Sequence, residues 1–285
     1  MILNPHAGRE NKYHVIKAVV EALDSLEIIK TKQRGDATLL AKQTDADIIL
    51  AAGGDGTINE VINGILRNKK KKPVLGIIPI GTSNLCAKSL GIPLINTKAM
   101  VEIIKKGRKK SIDIGKINER YFVIACGVGL DAEMYQNVEP DIKKFFGEVA
   151  YPISLLKTMF SHRFQRLLIK VTKNNKTTDV EGYYALICNM GKYTKLFQVI
   201  PEAKCDDGLL DILIFKNSDL ISQFTYLFNM ISKTQKMNKD ILYMQGEKFV
   251  IKSGEEVLAH ADAEIVGTTP VEISLLPKCI EVLAK

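Results

Sequence analysis

The 285-residue sequence predicts an α/β N-terminal domain with a parallel sheet, followed by a mainly antiparallel β-sandwich C-terminal domain. Three observations carry this reading. In the first third, short unbroken apolar runs alternate with stretches whose apolar residues recur at helical spacing, as expected for parallel strands covered by helices. Beyond about residue 110 the apolar runs become short, numerous and separated by turn residues, as in an antiparallel sandwich. The hydrophobic content of 46% supplies a core without disulfide or metal staples. The division falls at residues 1–115 and 116–285, with the last strand free to return to the first domain.

The elements follow in order. Met1 to Leu3 reads as a strand. Val15, Ile16, Val19, Val20 and Leu23 place a helix over 15–26. Glu27 to Thr31 reads as a strand, and Asp36 as the N-cap of a helix through Gln43. The run DIILAA at 47–52 reads as a strand buried on both faces, 57–66 as a helix and 74–78 as a strand. In the second half, strands are expected at 111–118, 121–126, 166–173, 178–188, 209–215, 247–252 and 256–260, with a closing strand near 270–276. Helical spacing interrupts them at 141–161 and 218–234, and Lys173-Asn174-Asn175-Lys176 marks a turn.

Composition narrows the function classes. The net charge of +8 favours anionic partners: nucleotide phosphates, nucleic acid or an acidic membrane surface. Nucleic acid is disfavoured, because the basic residues are not interleaved with aromatics in a binding motif. Five cysteines without a CxxC pair point to reduced thiols and a cytoplasmic setting. No signal peptide is evident, and no apolar run reaches the ~18 residues of a membrane span. None of the four histidines has metal-binding spacing.

The strongest local feature is strand 47–52 running into Gly53-Gly54-Asp55-Gly56-Thr57 and then a helix. Glycines let backbone N–H groups approach phosphate oxygens, and a helix N-terminus adds partial positive charge. Asp55 would coordinate Mg²⁺, or orient or deprotonate a nucleophilic hydroxyl. The loop is neither GxxxxGK[ST] nor GxGxxG. Two more loops follow strands in the same half: Asn4-Pro5-His6-Ala7-Gly8 and Pro79-Ile80-Gly81-Thr82-Ser83-Asn84. Each alone reads as a turn. Three at strand ends of one domain read as a ligand site.

NPHAG, GGDGTINEVING and PIGTSNLCAKSLGIP, in that order, resemble the diacylglycerol kinase catalytic family. Its bacterial branch holds soluble lipid kinases; sphingosine kinases are relatives, and NAD kinases more distant ones. Further matches are Gly127-Val-Gly-Leu-Asp131, Pro201-Glu-Ala-Lys-Cys-Asp-Asp-Gly-Leu-Leu-Asp211 and Asp262-Ala-Glu264, so the resemblance spans nearly the whole chain. It implies an ATP-dependent transfer of the γ-phosphoryl group to a hydroxyl of a lipid such as diacylglycerol or phosphatidylglycerol, in a cleft between two domains.

By that resemblance ATP meets Asn4, Pro5, His6, Ala7, Gly8, Thr31, Gly53, Gly54, Asp55, Gly56, Thr57, Ile58, Asn59 and Thr82. Mg²⁺ is held by Asp207 and the carbonyls of Lys204 and Leu209; the alternative for Asp206-Asp207-Gly208 is a hairpin turn. Glu264 matches the catalytic base, with Asp55 as the second catalytic carboxylate. The family usually reads Asp-Gly-Glu where this chain has Asp262-Ala263-Glu264, and a backbone angle suited to glycine would strain the alanine. The 189–195 loop also departs from its glycine-richer relatives.

The implied partners are a lipid substrate and, peripherally, an anionic membrane surface. Lys69 to Lys72, 105–110 and the apolar, cation-flanked segment 143–160 read either as solvated surface and core or as contacts to such a surface. The oligomeric state stays open, with a homodimer among the options. An NAD kinase-like enzyme and a non-catalytic nucleotide- or lipid-binding sensor are the competing readings.

Overall fold

The computed structural model describes residues 1–8, 12–137, 150–191 and 199–285, the stretch 150–153 by its backbone alone. The expectations for 143–149 and for 192–195 lie outside the described residues. The chain divides into two compact units, Met1–Ile114 with Pro277–Lys285, and Gly115–Leu276.

In the first unit, β1 (Ile2–Leu3), β2 (Ile29–Lys30), β3 (Ile48–Gly53) and β4 (Val74–Pro79) run parallel in the order β2-β1-β3-β4. The end of β16 (Val271–Leu283) adds beside β4, with Val282 opposite Leu75. Helices α1 (Lys12–Ala22) and α5 (Thr97–Lys106) pack on each other, as do α2 (Asp36–Gln43) and α3 (Asp55–Arg67). The short helix α4 (Leu85–Ser89) follows β4. Ile58, Val61, Ile62 and Ile65 of α3 are fully buried. A Cβ on Gly64 would stand 2.4 Å from the Thr38 carbonyl oxygen and 2.6 Å from the Ala41 Cβ, so this glycine sets how closely α2 approaches α3. The strand order reverses direction between β1 and β3. The loops leaving their carboxyl ends therefore open a crevice there, where such sheets bind ligands.

In the second unit, β7 (Ala125–Val128), β10 (Tyr184–Cys188), β11 (Leu210–Phe215), β12 (Ile241–Gly246), β14 (Leu258–Ala261) and β15 (Glu264–Thr268) form an antiparallel sheet in the order β12-β11-β10-β7-β14-β15. Opposite it, β8 (Leu167–Lys173), β9 (Lys176–Gly182), β13 (Lys248–Ser253) and the first half of β16 are antiparallel. The end of β5 (Lys109–Ile117) pairs with β6 (Arg120–Phe122). Leu167, Ile169 and Val171 alternate inward from β8 and meet Ile187, Ile212, Phe249 and Ile273 in the sandwich core. Asn174 and Asn175 both have positive φ, the backbone of a two-residue hairpin turn between β8 and β9. Helices α6 (Leu130–Gln136), α7 (Ala150–Ser161) and α8 (Leu220–Ser232) complete the unit; α7 packs on α6, and α6 on β14. Tyr184 stacks on Phe215 at 4.0 Å with Tyr226 of α8 beside them, so the helices cover the outer face of β10 and β11.

Several expectations are corrected. Gly35, at φ 91°, is the N-cap of α2, and Asp36 is its first residue; the Asp36 carboxylate accepts the Lys32 and Gln33 N–H groups and closes the preceding turn. Helix α3 starts at Asp55 rather than near Thr57, because extended Gly54 serves as an N-cap with no side-chain signal. Ile48 is exposed, so β3 is buried on both faces only beyond it. Helix α1 spans 12–22 and stops short of Asp24-Ser25, a turn-forming pair. Strands β12 and β15, not foreseen, are the two edges of their sheet, where half-exposed residues blur the apolar alternation. Strand β16 runs on past Pro277 to Leu283; Lys278 takes φ 46° there and its N–H meets Asp113 at 2.7 Å. Among the described residues no helix is long and apolar enough to cross a membrane.

Candidate active site

The three loops of the first unit converge through contacts that only glycine permits. Gly8 ends the first loop at φ 80°, and a Cβ there would lie 1.7 Å from the Ile80 carbonyl oxygen. Gly81 and Gly54 meet backbone to backbone; a Cβ on Gly81 would stand 2.4 Å from the Gly54 Cα. A Cβ on Gly53 would collide with the Thr57 side chain at 2.4 Å. The loop after β1 thus touches the loop after β4, which touches the loop after β3.

Side chains fix the same assembly. Asn4 donates through Nδ2 to Thr57 Oγ1 at 3.1 Å, and its Oδ1 accepts the His6 N–H at 3.0 Å. Asn84, in the left-handed region at φ 49°, closes the Gly81 turn twice: its Oδ1 accepts the Gly81 N–H, and its Nδ2 donates to the Gly81 carbonyl. Asp55 joins the second loop to the third. Its Oδ2 accepts the Leu85 N–H at 3.0 Å and its Oδ1 the Cys86 N–H at 2.9 Å, both from the start of α4. Burial pushes the Asp55 carboxyl above its ordinary value, outweighing those two bonds. Both oxygens thus hold backbone, so the geometry gives Asp55 a positioning task.

The other expected nucleotide contacts divide by exposure. His6, Gly8 and Thr82 are exposed; Pro5, Ala7, Gly54 and Asp55 are partly so, and Gly56 stands in open surroundings at the first turn of α3. The leading N–H groups of α3, at Asp55, Gly56 and Thr57, precede any intrahelical partner. Ile58 and Asn59 contribute differently from expectation. Ile58 is fully buried and its N–H donates to the Gly54 carbonyl, while buried Asn59 accepts from the Asn63 side chain. They build the helix and offer no side chain to solvent. Thr31 is buried beyond β2, its N–H on the Leu3 carbonyl at 2.9 Å.

In the second unit, the turn Asp262-Ala263 presents Glu264 at the start of β15. Asp262 accepts three consecutive backbone N–H groups: Val123 through Oδ2, and Ile124 and Ala125 through Oδ1, at 2.7, 2.9 and 3.0 Å. Asp262 and Ala263 have φ 46° and 68°, so alanine does occupy a left-handed position that suits glycine. Glu264 Oε2 accepts from Arg120 Nη2 at 2.7 Å, and both side chains are mostly buried. Nearby, buried His260 bonds through Nε2 to Asp131 at 2.7 Å, and the Asp131 carboxylate fits only because residue 127 is glycine, where a Cβ would lie 2.0 Å away.

The expected metal loop is a turn with Gly208 at φ 79°, in which Asp207 Oδ1 accepts the Leu209 N–H at 3.1 Å. Asp211, just beyond it, is buried. Its Oδ1 takes Tyr243 Oη at 2.6 Å and Gln245 Nε2 at 3.2 Å, and its Oδ2 has no hydrogen-bond partner among the described residues. Burial raises the Asp211 carboxyl, and the Asp207 charge raises it further. Two carboxylates that repel one another, one with an unpartnered buried oxygen, fit a hard divalent cation completed by main-chain carbonyls. Among the described residues no three or more His, Cys, Asp or Glu side chains gather as a metal cluster, so carbonyls such as those of Lys204 and Leu209 would have to contribute.

Sequence reasoning missed Arg120, the Asp262 clamp, the Asn84 turn and the His260–Asp131 pair. Arg120, the Asp262 clamp and the His260–Asp131 pair carry no spacing signal, because each partner lies far along the chain, and the Asn84 turn, closed on Gly81 three positions back, looks in sequence like any turn; only the glycines and the unusual Asp-Ala-Glu hinted at them.

Residues 1–117 match the diacylglycerol kinase catalytic domain, and residues 124–284 match the YegS C-terminal NAD kinase beta sandwich-like domain. The chain is 31% identical to a diacylglycerol kinase of Bacillus subtilis over 99% of its own length and 95% of that protein's. It is 29% identical to a diacylglycerol kinase of Staphylococcus aureus, covering 100% and 91%. A diacylglycerol kinase structure from Bacillus anthracis superposes with a TM-score of 0.79 at 27% identity, covering 100% and 96%. Yeast NADH kinase shares the fold at a TM-score of 0.52 and 10% identity, covering 100% of this chain and 82% of that one. Glycine-locked loops at the strand ends, a sandwich presenting a carboxylate and similarity along the whole length together establish that the chain belongs to the diacylglycerol kinase family of lipid kinases.

Proposed function

We propose that this chain transfers the γ-phosphoryl group of ATP to the free hydroxyl of diacylglycerol, giving a phosphatidic acid. The observation that carries the reading is the convergence of the loops after β1, β3 and β4 on the α3 N-terminus, locked by Gly8, Gly54 and Gly81. Backbone N–H groups there suit a triphosphate, and exposed Thr82 and His6 border them.

Glu264 is the proposed general base. It accepts the hydroxyl proton as the lipid oxygen forms its bond to the γ-phosphorus; the bond to the β–γ bridging oxygen breaks and ADP departs with that electron pair. Arg120 holds the Glu264 carboxylate in one orientation. Asp55 acts through the loops it ties, and Asp262 anchors the turn that presents the base. Mg²⁺ at Asp207 and the carbonyls of Lys204 and Leu209 would supply hard-cation neutralisation that orders the 204–209 loop. The similarity to named diacylglycerol kinases supports this acceptor over a nicotinamide nucleotide, since the likeness to NADH kinase extends to the fold alone. Radiolabelled ATP offered diacylglycerol and NAD together tests the reading: label in phosphatidic acid supports it, and label in NADP instead contradicts it.

A further inference from the structure

The sandwich core of the second unit ends on cations at the β8–β9 hairpin. Leu167, Ile169 and Val171 alternate inward along β8, and Val180 and Thr178 lie opposite Ile169 and Val171 on β9. The next positions on that inward face are Lys173 and Lys176, which sit directly opposite each other across the Asn174-Asn175 turn. With Val171, Thr178 and, from the edge strand β12, Met244 and Gln245, they line a cavity of about 460 Å³. That size falls within the roughly 300–1,000 Å³ of small-ligand pockets. Its floor is apolar: Val171 is buried, and Met244 packs against the sandwich core.

Two like charges placed directly opposite on paired strands repel. Elsewhere along this sheet the cations are neutralised in pairs: Arg166 with Glu181, Lys170 with Asp179 at 3.2 Å, and Lys248 with Glu272 at 3.8 Å. Lys173 and Lys176 form no ion pair among the described residues. The half-buried Lys173 donates its ammonium to neutral Gln245 Oε1 at 3.1 Å, and Lys176 is exposed. Glu247, close by, accepts the Asn174 N–H at 3.4 Å and pairs with neither lysine. An apolar cavity with two facing, unneutralised ammonium groups at its rim matches one ligand chemistry, a hydrocarbon chain that ends in an anion.

We propose that this hairpin mouth binds a single-chain amphiphilic anion. The chain lies on Val171 and Met244, and the carboxylate or phosphate monoester sits between Lys173 and Lys176. The anion supplies the charge that the lysine pair lacks, and the lysine stems cover the start of the chain. Nothing in this site depends on which hydroxyl the enzyme phosphorylates.

The test is isothermal titration calorimetry of the full chain, without ATP. The probes are octanoate and octyl phosphate below their micellar concentrations; octanol lacks the charge, and acetate and inorganic phosphate lack the chain. Wild type should bind both amphiphilic anions saturably, and each control at least about tenfold more weakly. The Lys173→Gln, Lys176→Gln double variant should lose about tenfold or more for both anions and keep its octanol affinity. Lys176→Gln alone, at an exposed position, should lose about threefold to fivefold. Neither variant should melt earlier than wild type, because each removes a like-charge contact. Tighter octanoate assigns the head group to a carboxylate and tighter octyl phosphate to a phosphate monoester; either supports the site. Octanol bound as tightly as octanoate, or inorganic phosphate as tightly as octyl phosphate, overturns the inference. Anion affinities that both variants leave unchanged overturn it too, since they place the binding elsewhere on the molecule. So does a wild type that binds neither anion, which would make the lysines a solvated rim.

Discussion

Arg120 and Glu264, 144 positions apart in sequence, form a mostly buried pair at 2.7 Å in which the guanidinium fixes one oxygen of the carboxylate. If Glu264 is the base, as proposed, a carboxylate held this way would meet its proton donor with little reorganisation. Arg120→Ala should therefore lower kcat by about 10²-fold while the KM for ATP stays within about twofold. Arg120→Lys should recover part of the rate, since lysine restores the charge without the planar fork. Steady-state kinetics at varied ATP separate this from a structural role, which would move stability and both constants together.

Gly8 tests the proposal that the converging loops bind phosphate. Gly8→Ala places a Cβ against the Ile80 carbonyl and forces alanine to φ 80°, so the loop must shift. Stability should fall by about 2 kcal/mol or more in urea denaturation, and ATP affinity should drop in a nucleotide titration. Gly56→Ala, with open space around it, should cost far less.

Ala263 is a site for gain. At φ 68° it bears the left-handed cost that glycine avoids, partly offset by glycine's greater freedom in the unfolded chain. Ala263→Gly should stabilise the protein by about 0.5–1 kcal/mol with kcat nearly unchanged. A large rise in kcat would show that alanine misplaces Glu264.

Asp55 should titrate above its ordinary 3.8, because burial disfavours its charge more than the Leu85 and Cys86 N–H groups favour it. With the folded value raised, the native state holds this proton more tightly than the unfolded chain. Its contribution to stability therefore falls as pH rises from the ordinary value through the folded one, and is flat above. Carbon-detected NMR of the Asp55 carboxyl measures the midpoint; a midpoint below 3.8 contradicts the burial argument. Asp55→Asn leaves one α4 N–H facing a donor and should cost about 1–3 kcal/mol.

Asp211 bears on the cation. Mg²⁺ should raise the melting temperature of the wild type, and Asp207→Ala should abolish most of that rise. Asp211→Asn should reduce it as well, by removing the buried charge beside the loop. Equal Mg²⁺ responses in all three proteins would contradict the site.

The fold was largely legible because the apolar periods differ sharply between the two halves. Strand 48–53 and helix 55–67 show it plainly: the strand is an apolar run buried beyond Ile48, and the helix carries Ile58, Val61, Ile62 and Ile65 at helical spacing on its buried side. Edge strands β12 and β15 escaped because half-exposed residues carry no clean alternation. The helix starts at Gly35 and Gly54 escaped because a glycine N-cap leaves no side-chain signature. The three converging loops were visible as glycines at strand ends. What glycine does there, letting Gly8 meet Ile80 and Gly81 meet Gly54, is a three-dimensional fact. So is the change in the reading of Asp55, from a carboxylate available for chemistry to one holding the start of α4.

Incubating the protein with labelled ATP, Mg²⁺, dioctanoylglycerol and NAD, and following the label, decides which hydroxyl is the acceptor. Labelled phosphatidic acid is expected from the wild type, with a loss of about 10²-fold or more in Glu264→Gln, which keeps the shape but not the base. Undiminished transfer by Glu264→Gln, or label that appears in NADP and never in lipid, would contradict the lipid-kinase reading.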